Sequence, residues 1–343
     1  MSGATTPSTV AVTAVLGAAA AGVLLPDRIG LGRRSPFVEA IAFRPQVTAL
    51  TLVVAAGLAG RRSGRAAAAA LGAVATAGLA AVAAARIAHR PPVATDTATG
   101  APPAEITILT GNVLHGRADR GALTTLIERN APDFVVLPEA GPDFRDKLMP
   151  PLEILGYRSW VSTGAGTADG RSVTLLAGPR AGELQVRVGT GMRLAHLEAT
   201  GGVLGARTLY AVHTTAPVRR RNVARWRRDL AVLGGWCAAT PAPVVVGDLN
   251  ATSDHPSLRE VLGGCRSAAG AGPRGLIGTF PARLPRALGI QIDHVLVPAA
   301  ARTTRFEIVD LIRSDHRAVL ATVRLPSYRS PAAADPLTSS ITI

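Results

Sequence analysis

The chain has 343 residues, 48% of them hydrophobic and 17% charged, with a mean hydropathy of +0.27. That composition excludes a disordered chain and a collagen, and its two cysteines exclude a disulfide-dense mini-protein. Net charge is +14 and Lys147 is the single lysine among 37 basic residues; an arginine-biased composition sets much of this charge, which still favours anionic partners.

The first feature along the chain is three windows without a charged residue, at 1–26, 45–60 and 66–85. A helix needs about 20 apolar residues to cross a hydrocarbon core. The first and third windows have that length, and Arg44 and Arg61 can snorkel to extend the second. The expectation is a transmembrane region over residues 1–88, with helices at about 8–25, 45–60 and 66–85. A soluble alanine-rich bundle would carry charges on its solvent face, and these windows carry none. A cleavable signal peptide is disfavoured, because the first window lacks a basic flank and two more apolar windows follow.

With three spans, loop 27–44 and everything after residue 88 lie on one side. Loop 61–65 lies on the other. The short loop holds Arg61, Arg62 and Arg65; the longer one holds Arg28, Arg33, Arg34 and Arg44. Raw counting, four arginines against three, leans toward a cytoplasmic C-terminal part, whereas density favours the short loop as the cytoplasmic anchor; the expectation adopted is a multi-pass cell-membrane protein with its C-terminal part extracytoplasmic.

Residues 89–104 read as a Pro/Ala/Thr-rich linker. Beyond it, short apolar runs at 106–109, 134–137, 173–176, 209–212, 244–246, 292–297 and 318–323 predict strands. Helical patterns cover 123–130, 219–236 and 255–262. The mixture predicts one layered α/β (α+β) domain over 105–326, followed by a disordered tail at 327–343.

Polar residues sit at the strand ends. Asn112, Glu139 and His213 follow apolar runs, and Asp248 and Asn250 stand two apart in Gly-Asp-Leu-Asn. Asp293 opens a strand and Ser-Asp315-His316 precedes the last one. Any one of these is ordinary; together they suit phosphoester hydrolysis. Glu139 and Asp315 are hard oxygen donors of the kind Mg²⁺ takes, with Mn²⁺ as the alternative. Asp248 is placed to orient or deprotonate water, and Asn250, Asn112, His213 and His316 to donate to a phosphate. Asp293 bonded to His316 would fix its tautomer and favour its charged form.

This ordered set resembles the endonuclease/exonuclease/phosphatase (DNase I-like) superfamily. Gly-Asp248-Leu-Asn250 resembles its GD-x-N motif, Ser-Asp315-His316 its terminal SDH, and Ile-Asp293-His294-Val its ID-[YH]-[VI] strand. The resemblance implies a four-layer α/β/β/α sandwich with the site at one end of two packed sheets. It implies that Glu139 is the main metal carboxylate with Asn112 nearby, and that Asp315 is a second acid near the metal. Asp248 and Asn250 match the water- and phosphate-handling pair, His213 a phosphate-contacting histidine, and His316 the catalytic histidine paired with Asp293. The proton acceptor stays open between Asp248 and His316. Pro138 stands where the family usually has Gln, and the tyrosine of apurinic-site endonucleases has no match. The apolar windows ahead of the domain loosely resemble actinobacterial proteins grouped with the teicoplanin-resistance membrane protein.

The expected function is a membrane-anchored, divalent-metal-dependent hydrolase of a phosphate ester, acting through in-line attack of water. Its substrate would be an isoprenoid or phospholipid phosphate, with a nuclease on DNA or RNA as the alternative. A catalytically inactive protein that binds phosphorylated ligands is a further alternative; it would not need Asp293 behind His316. No protein partner is predicted. Cys237 and Cys265 are expected as buried free thiols, with a disulfide as the alternative in an extracytoplasmic domain. Arginines 219, 220, 221, 225, 227 and 228 read either as a solvated helix face or as a surface for an anionic substrate or lipid head groups. His294 reads as structural, and His115, His196 and His255 have no partner in the sequence pattern.

Overall fold

The computed structural model describes residues 7–87 and 104–327. The expected linker and tail lie outside these residues, apart from Ala104 and Ser327. The N-terminal part is a set of packed helices: α1 (Pro7–Leu24), the short α2 (Phe37–Ala42), α3 (Arg44–Ala59) and α4 (Arg65–Ile87). These fall on the three apolar windows, but the expectation of three spans is only partly met. Among the described residues, Arg62–Ile87 alone is long and apolar enough to cross a membrane, while Val10–Leu24 and Arg44–Ala59 are shorter apolar helices. At Gly78, an added Cβ would crowd the Thr48 hydroxyl, so a bare backbone lets α4 lie close against α3.

The larger part contains β1 (Glu105–Thr110), α5 (Arg120–Asn130), β2 (Phe134–Pro138), α6 (Pro142–Ile154), β3 (Arg158–Val161), β4 (Val173–Ala177), β5 (Leu184–Gly189) and β6 (His196–Gly201). It continues with β7 (Thr208–His213), α7 (Arg220–Cys237), β8 (Val244–Asp248), α8 (Pro256–Arg259), β9 (Cys265–Ser267), β10 (Asp293–Pro298), β11 (Arg302–Asp310) and β12 (Arg317–Arg324). Two six-stranded sheets form, in the orders β11-β12-β1-β2-β4-β3 and β5-β6-β7-β8-β10-β9. Each has one parallel pair, β1 with β2 and β7 with β8, among antiparallel neighbours. A parallel pair needs a crossover, and α5 and α7 supply it.

Side-chain alternation explains the layers. Ile106, Ile108, Phe134 and Val136 point inward to meet Leu209, Ala211, Val244, Val246 and Val295 between the sheets. Leu109, Val135 and Leu137 point outward under α5 and α6. Val212, Val245 and Leu296 point outward under α7, whose Val223, Trp226, Leu230 and Leu233 form its buried stripe. Interior strands are therefore covered on both faces and read as continuous apolar runs. The result is the expected α/β/β/α sandwich.

The helical part is bonded to this sandwich. Val38 joins the cluster around Trp226, and its carbonyl accepts from His255 Nε2 at 2.9 Å. Arg44 is fully buried, donating to the carbonyls of Leu24 (2.8 Å) and Asp254 (3.4 Å) and pairing with Asp27. Arg86 pairs with buried Asp254 at 2.6 Å, and Gln46 donates to the Gly289 carbonyl at 2.6 Å.

The cysteine expectation is corrected. Cys237 at the end of α7 and Cys265 at the start of β9 are 5.4 Å apart at Cα and form a disulfide. The contact arises because the chain turns back at Gly263–Gly264, where Gly264 N donates to the Cys237 carbonyl at 2.9 Å.

Candidate active site

The predicted polar residues converge at one end of the two sheets. In the second sheet, β7, β8 and β10 are neighbours, and His213 is in register with Asp248, which is in register with Asp293. Three adjacent strands thus set His213, Asp248 and Asp293 in a row. The first sheet contributes Asn112 just beyond β1, Glu139 just beyond β2, and Asp315 and His316 just before β12.

Gly247 shows why the Gly-Asp-Leu-Asn motif begins as it does. Its φ is +142°, and a Cβ there would strike the Val212 carbonyl oxygen of β7. A side chain at this position would push apart the strands that carry His213 and Asp248. Glu139 (φ 63°) and Asn250 (φ 47°) occupy left-handed conformations that non-glycine residues rarely adopt. Local bonds hold them there. Asn250 N donates to Asp248 Oδ1 at 2.9 Å, and Glu139 N donates to the Ser172 carbonyl at 2.9 Å.

Asn112 Nδ2 bridges two carboxylates, donating to Glu139 Oε1 at 3.0 Å and to Asp248 Oδ2 at 3.2 Å. The amide nitrogen, not the oxygen, faces them; its Oδ1 accepts from Leu114 N at 2.9 Å. In this orientation Asn112 steadies the two carboxylates. His213 Nε2 stands 3.9 Å from Glu139 and 3.7 Å from Asp248. Asn250 Nδ2 donates to the Thr214 carbonyl at 3.0 Å, leaving one amide hydrogen and its oxygen unspent.

His316 Nδ1 is 2.8 Å from Asp293 Oδ2, and its Nε2 is 4.0 Å from both Asp248 and Asp315. Burial disfavours a charged imidazole, but the charge and hydrogen bond of Asp293, with Asp248 and Asp315 behind them, outweigh it. They push the His316 pKa up to about 10. Burial also raises the pKa of Asp248, and the nearby charge of Asp293 adds to that, partly offset by His316 and His213. Asp315 lies on the rim, with its side chain 44% exposed, outside the buried carboxylates.

Two features had no clear sequence signal. His115, three residues after Asn112, donates its backbone N–H to Glu139 Oε2 at 2.8 Å and brings Nδ1 within 3.3 Å of it. Ser314 donates to the Asn112 carbonyl at 2.6 Å and accepts from His316 N at 3.1 Å, tying the loop after β1 to the one before β12 within the first sheet. Phe280 lies with its ring 4.8 Å from that of His316. His294 is structural as expected, with Nε2 2.7 Å from the Ala251 carbonyl.

The donor set suits a hard cation. Among the described residues, Glu139, Asp248 and Asp293 have no Lys or Arg partner, and buried Asp293 Oδ1 has no hydrogen-bond donor. Buried carboxylates crowded this way require a compensating positive charge. Asp248, Asp293 and His316 bring one donor atom each within 4.8 Å. A histidine that keeps its proton is a poor ligand, so the Glu139 side of the cluster fits a cation better.

The sequence matches the Endonuclease/Exonuclease/phosphatase family over residues 109–316. No curated protein matches it. Among solved structures, humanized D. rerio TDP2 is 13% identical, with a TM-score of 0.51 over 64% of this chain and 99% of that one. D. rerio TDP2 complexed with a single strand DNA product is 12% identical, with a TM-score of 0.51 over 64% and 99%. The endonuclease/exonuclease/phosphatase from Beutenbergia cavernae DSM 12333 is 19% identical, with a TM-score of 0.49 over 65% and 72%. The family match covers more than half of the chain and contains every candidate site residue, and the architecture agrees with it: the chain belongs to the endonuclease/exonuclease/phosphatase family, whose members are hydrolases acting on phosphate esters.

Proposed function

We propose that this protein is a membrane-anchored, divalent-metal-dependent phosphoesterase whose catalytic domain, residues 105–326, lies on the extracytoplasmic side. The observation that carries the chemistry is the group formed by the buried carboxylates Asp248 and Asp293 and the partly buried Glu139, without a Lys or Arg partner among the described residues and set beside the Asp293–His316 pair. Glu139 would hold Mg²⁺ or Mn²⁺, with Asp315 approaching from the rim. A bound ion would polarise a phosphoryl oxygen and offset charge on the leaving oxygen. Asn112 and the His115 N–H keep Glu139 oriented. Asp248 orients the attacking water, and Asn250 and His213 face the phosphate. His316, held charged by Asp293, presents its Nε2 proton to the phosphoryl group as negative charge grows.

Anchoring is supported by α4 and by the apolar helices packed beside it. All three would serve as spans, α3 being extended by Arg61 at its C-terminal end. The contacts of Val38 and Arg44 with the sandwich agree with loop 27–44 and the catalytic domain sharing one side. The Cys237–Cys265 disulfide favours an oxidising compartment, hence the extracytoplasmic side. Two loops border the site, 250–255 and 278–290, and both are bonded to the first turn of α3 through Arg44 and Gln46. A site opening beside these helices suits a phosphoester carried in the membrane, such as an isoprenoid or phospholipid phosphate.

A nuclease is the second reading, favoured by the shared fold of the D. rerio protein complexed with single strand DNA product. A panel of plasmid DNA, RNA, isoprenoid pyrophosphates and phospholipids, each with and without EDTA, tests both. Metal-dependent release of phosphate or headgroup from the lipids, with DNA and RNA intact, supports the first reading. Metal-dependent cleavage of nucleic acid alone replaces it with the second.

A further inference from the structure

The catalytic reading leaves the arginines of α7 unused. That helix turns Arg220, Arg221, Arg227 and Arg228 outward. A groove of about 550 Å³ separates its first two turns from the segment that links α1 to α2. Arg33, Arg34, Arg220 and Arg227 line it, with apolar contributions that include Leu31 and Phe37. No lining residue is acidic. Glu260 takes Arg33 in a two-pronged pair, both contacts at 2.9 Å. Among the described residues, Arg34, Arg220 and Arg227 pair with no carboxylate.

Like charges gathered around one groove repel each other, and an anion removes that cost. The guanidinium fork matches the paired oxygens of a phosphodiester. The position selects the source of that phosphodiester. The linking segment begins after Leu24, the last residue of one apolar helix, and only the short α2 separates it from Arg44, the first residue of the next apolar helix. If those helices are in a bilayer, this is headgroup depth. Apolar side chains are exposed beside the groove's two walls, Ile29 in the linking segment at 58% and Val218, just ahead of α7, at 66%. A nucleic-acid track would instead offer aromatic faces for stacking, and Phe37 is the only aromatic residue lining this groove.

We propose that this groove binds the phosphodiester headgroup of an anionic membrane lipid, at a place separate from the catalytic centre. The proposal rests on the membrane-anchored reading above. Bound there, the lipid would hold the catalytic domain against the bilayer through α7, the helix that follows the His213 strand.

The test uses the full-length protein in zwitterionic detergent micelles and reads the thermal unfolding midpoint. The probes are dioleoylphosphatidylglycerol, dioleoylphosphatidylcholine, inorganic phosphate and a single-stranded oligonucleotide. Phosphatidylglycerol is expected to raise the midpoint by a few degrees, less so at high salt, and the other probes to leave it unchanged. The triple variant R34Q/R220Q/R227Q should lose most of that shift while hydrolysing bis(p-nitrophenyl) phosphate like the wild type. Each single variant should lose roughly a third of it, which keeps the site readable if the triple variant is unstable. Equal shifts with the two lipids, or a phosphatidylglycerol shift unchanged in the variants, overturn the proposal. So does inorganic phosphate alone reproducing the shift, or an oligonucleotide shift that the variants abolish. The readout needs no turnover, so an inactive protein leaves it intact. A chain that purifies without detergent fails the anchored reading, whereas one that needs detergent and shows no lipid preference fails only this site.

Discussion

Asp293 and His316 depend on each other. Asp293 Oδ1 is buried without a donor, and Oδ2 is spent on the imidazole. Replacing Asp293 by Asn removes the charge that holds the His316 proton and allows the ring to flip its tautomer. We expect kcat to fall about 10²- to 10⁴-fold with KM little changed, and the alkaline limb of the pH–rate profile to move to lower pH. Steady-state kinetics of D293N across pH checks both; an unchanged profile would remove the pairing from the mechanism. Gly247 is the other sharp case. Its positive φ and the nearby Val212 carbonyl leave no room for a methyl group. Gly247→Ala should therefore cost roughly 1–3 kcal/mol of stability and spread the His213–Asp248 register, seen as a lower unfolding midpoint together with lost activity.

The junction between the helices and the sandwich carries two predictions at the scale of elements. Asp254 is buried, and Arg86 of α4 is its ion-pair partner. Arg86→Ala leaves a buried carboxylate unpaired, which should cost about 3–5 kcal/mol, whereas the double change R86M/D254L should recover most of the loss. Chemical unfolding in detergent measures both. His255 is held neutral between the Val38 carbonyl and Thr252 N, with burial pulling its pKa down to about 4. The unfolded chain takes up that proton below about pH 6.5 and the folded chain does not. Stability should therefore fall as pH drops from about 6.5 to 4, by on the order of 3 kcal/mol, and His255→Gln should flatten that slope. Equal pH slopes for the wild type and H255Q would contradict the assignment.

Elements also divide by how legible they are in the sequence. Interior strands such as β1, β2, β7 and β8 are covered on both faces, so they stand out as apolar runs. The edge strands β11, β3, β5 and β9 are absent from the sequence reading, because an edge has no second neighbour and is short or polar. β5, for instance, reads Leu-Gln-Val-Arg-Val-Gly and is largely exposed. β6 is hidden by His196, Glu198 and Thr200, which alternate with the inward Leu197 and Ala199; His196 packs on Trp236 of α7. α6 was hidden by Pro150 and Pro151, which sit inside a helix that sequence rules would end before them. The candidate site was more legible than the edges. Its residues follow interior strands, where a polar residue after an apolar run is visible. His115 was not, since its contact with Glu139 comes from a tight left-handed turn at Leu114–His115.

At the scale of the whole molecule, the buried polar junction of Arg44 and Arg86 with the Asp254 loop joins the N-terminal helices to the sandwich, and the proposed anchoring fixes which side of a membrane the sandwich faces. Alkaline phosphatase fused after Ala104, and separately after Pro326, should be active in both cases. Inactive fusions, with a fluorescent cytosolic reporter at the same junctions, would reverse the orientation. Reducing the disulfide, whose cysteines are 28 residues apart, should cost about 3–4 kcal/mol if it forms in the cell. The most direct measurement is hydrolysis of bis(p-nitrophenyl) phosphate by the full-length protein after chelation and metal return. EDTA should abolish turnover, Mg²⁺ or Mn²⁺ should restore it in the wild type, and neither should restore it in folded Glu139→Gln. Turnover that persists in EDTA, or in that variant, would contradict the metal mechanism.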